Sequence, residues 1–134
     1  MPFPPGGTLA GRKILVVEDN FLIADHLCSV LEEQGCDVVG PAPRLAQALD
    51  LVRSGQALDG AVLDINLGGQ LCFPVAAALA ERGVPFVFLT GYNPRGIMPS
   101  EFAARPVLSK PVDAGRLIEV ARATFAARDA RKDS

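Results

Sequence analysis

Polar side chains follow four apolar runs of the sequence, each at the point where a buried strand is expected to end. Glu18 and Asp19 follow the first run, and Asp64 follows the third. Thr90 follows the fourth run and Lys110 the fifth. Because ligands of open parallel α/β sheets bind outside the carboxyl ends of the strands, we expect these five side chains to meet at one edge of a sheet.

The residue types at this edge permit a narrow chemistry. Clustered carboxylates repel one another unless a cation lies between them, and hard oxygen ligands favour Mg²⁺ or Mn²⁺ over zinc. Metal, the lysine Lys110 and the hydroxyl of Thr90 together can hold the three oxygens of a phosphoryl group in transfer. A carboxylate can act as the nucleophile and form an aspartyl phosphate. Asp64 is the predicted nucleophile because it is central and a tight turn follows it.

Five short apolar runs predict the strands that position these groups, at residues 13–17, 37–40, 61–63, 85–89 and 106–108. Strands covered on both faces should be almost wholly apolar, and these runs are. Longer segments with helical spacing lie between and after them. The alternation predicts one α/β domain with a five-stranded parallel sheet and helices on both of its faces.

About five helices are expected. The first is capped by Asn20 and ends near Gly35, the second closes at Gly55, and the third covers roughly Phe73–Glu81. Residues 92–105 contain two prolines and a glycine, so only a short or irregular helix is expected there. A final amphipathic helix follows the fifth strand.

Composition limits the class of protein. The chain has 134 residues, of which 49% are hydrophobic, enough for one domain with a sizeable core. The net charge is −2 and the basic residues are not gathered, so nothing indicates nucleic-acid or membrane binding. No apolar stretch approaches the ~18–20 residues of a membrane span, and the N-terminus lacks a signal-peptide pattern. We expect a cytoplasmic protein that docks on other proteins.

The cysteines and the histidine carry no chemical signal. Cys28, Cys36 and Cys72 are odd in number, widely spaced and set in apolar contexts, which favours reduced core thiols over a disulfide framework or a zinc site. His26, the only histidine, is interpreted as a solvated helix residue.

Four segments, in this order and spacing, resemble the CheY-like receiver domain of two-component response regulators over about residues 12–127. They are Ile-Leu-Val-Val-Glu-Asp-Asn at 14–20, Ala-Val-Leu-Asp-Ile-Asn-Leu at 61–67, Phe-Leu-Thr-Gly at 88–91 and Leu-Ser-Lys-Pro at 108–111. The resemblance implies a flavodoxin-like, doubly wound (βα)5 fold with strand order 2-1-3-4-5. A flexible tail over residues 1–11 and a second tail over 128–134 would flank it.

The resemblance also implies a role for each site residue. Asp64 would be the phosphoacceptor, Lys110 would pair with the phosphoryl group, and Thr90 would move toward it as the switch. A cis bond would precede Pro111. The metal would be held by Glu18, Asp19, Asp64 and the backbone carbonyl of Asn66.

The switch region departs from the usual pattern. Receivers usually carry Tyr or Phe three residues before the lysine, and Val107 occupies that place, so the usual coupling of threonine to an aromatic residue is not expected. Residues 88–92 are similar to the Phe-Ala-Thr-Gly-X-Tyr ("FAT GUY") subgroup, although Leu89 replaces the alanine and Tyr92 comes one place early. Our hypothesis is that Tyr92 and the loop 93–102 form the mobile element. A bulky Tyr92 would also obstruct the water that attacks an aspartyl phosphate.

The leading interpretation is a stand-alone receiver of a two-component system or phosphorelay. It would take its phosphoryl group from a histidine kinase or histidine phosphotransfer protein, act through protein partners, and catalyse only its own phosphorylation and dephosphorylation. The alternatives are a degenerate receiver that only binds proteins, a haloacid-dehalogenase-like phosphatase and a flavodoxin-like cofactor binder. The intact acid set argues against the first. Asn66 in place of a second Asp argues against the second, and the acidic pair after the first strand argues against the third.

Overall fold

The structure is a computed structural model that describes residues 8–91, 94 and 96–126. Its strands are β1 (Lys13–Val17), β2 (Asp37–Ala42), β3 (Gly60–Asp64), β4 (Asn66–Leu67), β5 (Gln70–Leu71), β6 (Phe86–Thr90) and β7 (Val107–Ser109). Its α-helices are α1 (Phe21–Glu33), α2 (Leu45–Arg53), α3 (Phe73–Glu81) and α4 (Ala114–Phe125). A short 3-10 helix spans Ser100–Phe102.

Five of the strands form one parallel sheet in the order β2-β1-β3-β6-β7. The two remaining strands, β4 and β5, pair only with each other in a small antiparallel hairpin after Asp64. Counted without that hairpin, the sheet has the order 2-1-3-4-5. The predicted fold class and strand order are therefore confirmed.

Alternate residues of the central strands pack into two apolar layers, one on each face of the sheet. Leu15 and Leu63 pack with α2 and α3 on one face, whereas Ile14 and Val62 pack with α1 and α4 on the other. All five residues of β3 are buried, and so are all five of β6. This double cover explains the continuous apolar runs and places Asp64 and Thr90 at the ends of buried strands.

The described part of the connection between β6 and β7 is mostly irregular. Its described part contains the 3-10 helix as its one regular element, which confirms the short or irregular helix that the prolines predict. Phe102 anchors that helix, with its ring centroid 5.6 Å from that of Phe86 and 6.0 Å from that of Phe88. Val107 beside this connection stays 37% exposed.

The edge strand β2 runs two residues further than predicted, to Ala42. Gly40 has a φ of 100°, and its peptide bond to Pro41 is cis, like the bond between Lys110 and Pro111 that the resemblance implies. Beyond this irregular stretch the carbonyl of Ala42 accepts a hydrogen bond from Glu18 N at 3.1 Å. The end of β2 thus fixes the backbone of Glu18.

The described part of the N-terminal segment packs on the domain. Leu9 is 2% exposed and belongs to the layer beneath α1 and α4. Gly11 N donates to Gly35 O at 2.8 Å. Each helix among the described residues is too short or too polar to cross a membrane.

Candidate functional site

Glu18 lies at the carboxyl end of β1 with its carboxylate turned inward. The residue is 1% exposed, whereas the neighbouring Asp19 is exposed. Asn20 N donates to Glu18 Oε2 at 3.0 Å. The side chain of Asn20 also starts α1, because its Oδ1 accepts from Leu22 N at 3.0 Å and Ile23 N at 3.1 Å. Asn20 therefore both caps α1 and holds the buried carboxylate of Glu18.

Asp64 ends β3 and is 3% exposed. Its Oδ1 accepts a hydrogen bond from Asn66 N at 3.3 Å. Ile65 N donates to Leu89 O at 3.0 Å, so the chain beyond Asp64 stays tied to β6. The acid is thus held on rigid backbone on both sides.

Lys110 brings a positive charge to the two buried acids. Its Nζ lies 3.1 Å from Asp64 Oδ2, 3.1 Å from Glu18 Oε1 and 3.3 Å from Glu18 Oε2. Its backbone N donates to Thr90 O at 2.9 Å, which ties the loop after β7 to the end of β6. One cation therefore serves two carboxyl groups, so that both can be ionised only with a net negative charge in the site.

An open cavity of about 260 Å³ lies over these groups. That is room for roughly eight water molecules at ~30 Å³ each, more than a phosphoryl group needs. The cavity is lined by Asp19, Asn20, Ile23, Asp64, Ile65, Asn66, Thr90, Gly91 and Lys110.

The acids fit a divalent cation. Glu18, Asp19 and Asp64 each offer a carboxylate oxygen, and these oxygens lie within 4.8 Å of one another. Glu18 Oε1 is buried and accepts no hydrogen bond from the described residues, its ion pair with Lys110 aside. Lys110 already pairs with that oxygen, so the case for a cation rests on the three clustered carboxylates, an oxygen donor set that a hard divalent ion prefers.

Burial and neighbouring charges shift the pKa values of both Asp64 and Lys110. Burial, and after it the negative charge of Glu18, raises the pKa of Asp64 from 3.8 to about 7, against the opposing pull of Lys110. Burial lowers the pKa of Lys110, but its hydrogen bonds and charge pairing with Glu18 and Asp64 outweigh burial, so that the pKa is raised. Lys110 therefore stays charged, while Asp64 without a further cation holds a proton up to near-neutral pH.

A hairpin, not a simple tight turn, follows Asp64. Gly68 and Gly69 form its tip with φ values of 61° and 98°, and Gly69 N donates to Asn66 Oδ1 at 2.7 Å. A Cβ atom on Gly68 would lie 3.8 Å from Asp19 Oδ2, so the tip passes beside the exposed acid. The glycine pair is the signal that could have predicted this hairpin.

The structure brings together the predicted residues Glu18, Asp19, Asp64, Asn66, Thr90 and Lys110. Val107 does not line that cavity and instead lies beside Phe88 in the sheet register. Tyr92, Asn93 and Arg95 lie outside the described residues, so the mobile-element hypothesis stays a prediction. Ile23, Ile65 and Gly91 in the cavity wall were not predicted, because apolar residues and glycine offer no reactive group, and Asn20 was predicted only as a helix cap.

The remaining singled-out residues lie outside the acid cavity. Cys36 and Cys72 are buried, as predicted for core thiols, whereas Cys28 is only half-buried. His26 is exposed, as predicted, and its Nε2 lies 3.3 Å from the carbonyl of Val112.

Comparison with known proteins identifies the family. A family model described as the response regulator receiver domain matches residues 14–122. The chain is 27% identical over 110 residues to the transcriptional regulatory protein PdtaR of Mycobacterium tuberculosis. That match covers 80% of this chain and 53% of PdtaR, so the chain spans about half the length of that relative.

Solved structures give the same result. The solution structure of SdrG from Sphingomonas melonis Fr1 is 42% identical, with a TM-score of 0.73, and the match covers 84% of this chain and 95% of SdrG. The BeF3-activated conformation of SdrG, from an organism named as Pseudomonas melonis Fr1, is also 42% identical. Its TM-score is 0.70, with 85% of this chain and 96% of that chain covered.

Proposed function

Because the chain belongs to the response regulator receiver domain family, we propose that it accepts a phosphoryl group on Asp64 and passes the signal to protein partners. The observation that carries this proposal is the geometry around that acid. Asp64 is 3% exposed at the floor of an open cavity, with Lys110 Nζ 3.1 Å from Oδ2 and two further carboxylates within 4.8 Å. A nucleophile, a cation and a candidate metal site thus share one cavity.

In the proposed reaction an oxygen of the Asp64 carboxylate attacks phosphorus. A new P–O bond forms while the donor's P–N bond, for a phosphohistidine, or P–O bond, for an acyl phosphate, breaks. The leaving imidazole keeps the bonding electron pair and takes a proton from solvent. Lys110 neutralises charge on the phosphoryl oxygens, and the hydroxyl of Thr90 donates a hydrogen bond to one of them. The product is an aspartyl phosphate, which water later hydrolyses.

The metal in this proposal is Mg²⁺ or Mn²⁺. It would be held by Glu18, Asp19, Asp64 and the backbone carbonyl of Asn66. A bound divalent cation supplies charge neutralisation for the two negatively charged reactants. The all-oxygen donor set and the closeness of its three carboxylates support this assignment.

The proposed phosphoryl donor is a histidine kinase or a histidine phosphotransfer protein. Apolar surface adjoins the acid cavity, as the centre of a docking site requires. Phe21 and Leu22, in the first turn of α1, are each 76% exposed. A groove of about 580 Å³ continues from the cavity, lined in part by Leu22, His26, Pro111 and Val112. A helix that carries a phosphohistidine could cover this rim and reach Asp64.

Acetyl phosphate with Mg²⁺, read by a phosphate-affinity gel, tests the acceptor. We expect the wild-type chain to shift and Asp64→Ala to stay unshifted. Asp59→Ala is the matched control, because it removes an acid just before the opposite end of the same strand, and it should shift like wild type. Equal shifts in wild type and Asp64→Ala, or no shift in either, would contradict the proposal.

The switch remains part of the proposal. With Val107 in place of an aromatic residue, we propose that Tyr92 and the loop 93–102 carry the change in conformation. BeF₃⁻ with Mg²⁺ should then shift the NMR signals of residues 92–105, and unmoved signals there would contradict the idea. Wild type should also lose its phosphoryl group more slowly than Tyr92→Glu, and a faster wild type would refute the obstruction by Tyr92.

A further inference from the structure

A second groove lies on another face of α1, between that helix and the edge strand β2. Its volume is about 260 Å³. Its walls include Phe21, Asp25, Cys28 and Glu32 of α1 and Val38 and Pro41 of β2. None of these residues lines the acid cavity, so the groove is separate from the phosphorylation site.

The α1 wall of this groove is a single stripe. Phe21, Asp25, Cys28 and Glu32 follow one another at spacings of four, three and four residues, which places them on one face of the helix. Phe21 is 76% exposed, and Cys28 and Val38 are half-buried. The apolar side chains of this stripe therefore face solvent beside β2.

Two carboxylates flank the apolar stripe. Asp25 and Glu32 are exposed, and neither makes an ion pair within the described ranges. Both lie close enough to raise the pKa of the Cys28 thiol, in addition to the larger effect of its burial. Seven residues apart on one helix, they are separated by about 10.5 Å along the axis. The groove is thus an apolar strip with a negative charge toward each end.

The other wall is a sheet edge. Within the described part of the chain, β2 pairs with β1 alone, so the outer backbone groups of residues 37–39 face away from the sheet. Gly40 and Pro41 end the regular edge. Such an edge can accept one short extended segment. In an extended chain, side chains four positions apart lie on the same face and are separated by about 13 Å, and two long basic side chains can close the difference from the spacing of the two acids.

We propose that the groove between α1 and β2 binds an extended, basic segment of a partner protein. The segment would carry two Arg or Lys residues four positions apart, opposite Asp25 and Glu32, with an aliphatic side chain midway between them against Phe21 and Cys28. Opposite charge selects this occupant over an acidic or a purely apolar one. The groove shares Phe21 with the rim proposed to dock the phosphoryl donor but no residue with the acid cavity, so transfer from a small acyl phosphate to Asp64 can be tested separately.

Fluorescence anisotropy with the full chain tests the groove. The probe is a fluorescein-labelled peptide with the sequence Gly-Arg-Val-Leu-Val-Arg-Gly, whose arginines are four positions apart. We expect the double variant Asp25→Lys/Glu32→Lys to bind it at least tenfold more weakly than wild type, and Phe21→Ala several-fold more weakly. The matched control is Asp50→Lys/Glu81→Lys, which makes the same charge change on exposed acids of α2 and α3. It should bind like wild type.

The proposal would be overturned if both double variants lost the same amount of affinity, if a peptide with Glu in place of Arg bound equally well, or if no binding occurred at millimolar peptide. Self-association of the unlabelled chain that Phe21→Ala abolishes would assign the groove to a second copy and also overturn the proposal. Labelling of Asp64 by acetyl phosphate is measured on every variant. Normal labelling of Asp25→Lys/Glu32→Lys shows that the fold is intact and separates this test from that of the acceptor.

Discussion

The two ends of the parallel sheet use the same kinds of charged residue in opposite ways. At the carboxyl end, Glu18 and Asp64 are buried around Lys110 at 3.1 Å, and the pKa of Asp64 is raised. At the amino end, Arg12 Nη2 and Asp59 Oδ1 lie 3.5 Å apart with side chains 28% and 32% exposed. Burial makes the charges of the first group costly to hold, whereas the solvated ion pair of the second contributes little to the free energy of unfolding.

Side chains are also packed more tightly at the amino end of the sheet than at the carboxyl end. At the amino end, a Cβ atom on Gly60 would lie 2.3 Å from Cδ1 of Phe125, so β3 and α4 meet without spare room. At the carboxyl end, a cavity of about 260 Å³ stays open above Asp64. The amino end is therefore packed for stability, whereas the carboxyl end leaves space and buried charge where the proposed phosphoryl transfer would occur, a division that substitutions can test.

The largest expected effect is on pH-dependent stability. Since the pKa of Asp64 is raised from 3.8 to about 7 by folding, the folded state binds the proton more tightly than the unfolded state between these values. Without metal, the free energy of unfolding should fall by up to about 4 kcal/mol as pH rises from 4 to 7, and not recover above 7. Urea unfolding in EDTA across this range measures it.

Asp64→Asn isolates that effect, because the amide cannot ionise. The variant should lack this decline and be more stable than wild type at pH 7.5, while it takes up no phosphoryl group. Mg²⁺ should reduce the decline in wild type, because the cation favours the charged carboxylate. If wild type and Asp64→Asn kept a constant difference in stability from pH 4 to 7, the raised pKa of Asp64 would be wrong.

A somewhat smaller loss is expected at the tightly packed end. Gly60→Ala should lower the free energy of unfolding by about 2–3 kcal/mol, because the new methyl group overlaps the buried ring of Phe125. Gly96→Ala is the control, since no atom lies within 4 Å of its added Cβ. Chemical denaturation measures both variants.

The same variant separates stability from reactivity. Folded Gly60→Ala should take up a phosphoryl group from acetyl phosphate at the wild-type rate, because Phe125 is remote from the acid cavity. A change of tenfold or more in that rate would show that the two ends of β3 are coupled, and the contrast between them would then break down.

Metal affinity gives a third, graded test, which rests on the proposed metal site. Because Mg²⁺ and a proton compete for Asp64, the Kd for Mg²⁺ should rise about tenfold for each pH unit below 7 and level off above it. Calorimetric titration of wild type at several pH values measures this. Asp25→Asn, which removes an acid outside the cavity, should follow wild type, whereas a Kd that stays constant from pH 5.5 to 7 would contradict competition at Asp64.

The contrast between the ends also explains what the sequence could predict. Apolar runs on doubly covered strands carry a strong pattern, so the parallel sheet and the acids at its carboxyl edge were predictable, whereas the strand order followed from the family resemblance. Asp64, Thr90 and Lys110 could be grouped before any geometry, because parallel strands bring their carboxyl ends to one edge. Which charges are buried was not predictable, since Glu18 and Asp19 are neighbours in sequence and only Glu18 turns inward.

Other features depend on contacts that have no local pattern. Gly60 looks like an ordinary strand-start glycine until Phe125, 65 positions away, is packed against it. The hairpin after Asp64 was not predicted, because its two strands have only two residues each and the sequence indicated only a tight turn after Asp64. The groove between α1 and β2 was also not predictable, because it exists only where folding places the stripe of α1 beside the edge strand β2.

The smallest expected effect concerns the exposed charges of the amino end. Asp59→Ala removes the 3.5 Å ion pair with Arg12 and the 2.8 Å hydrogen bond that Asp59 Oδ2 accepts from Lys13 N. Because both partners are partly solvated, the variant should lose only about 1 kcal/mol of stability. Unfolding in 0.1 M and 1 M NaCl measures the salt-sensitive share, with Glu119→Ala as the exposed control. A loss above about 3 kcal/mol, or slowed phosphorylation of Asp64, would show that Asp59 contributes more than an exposed ion pair does, and the contrast between the two ends of the sheet would fail.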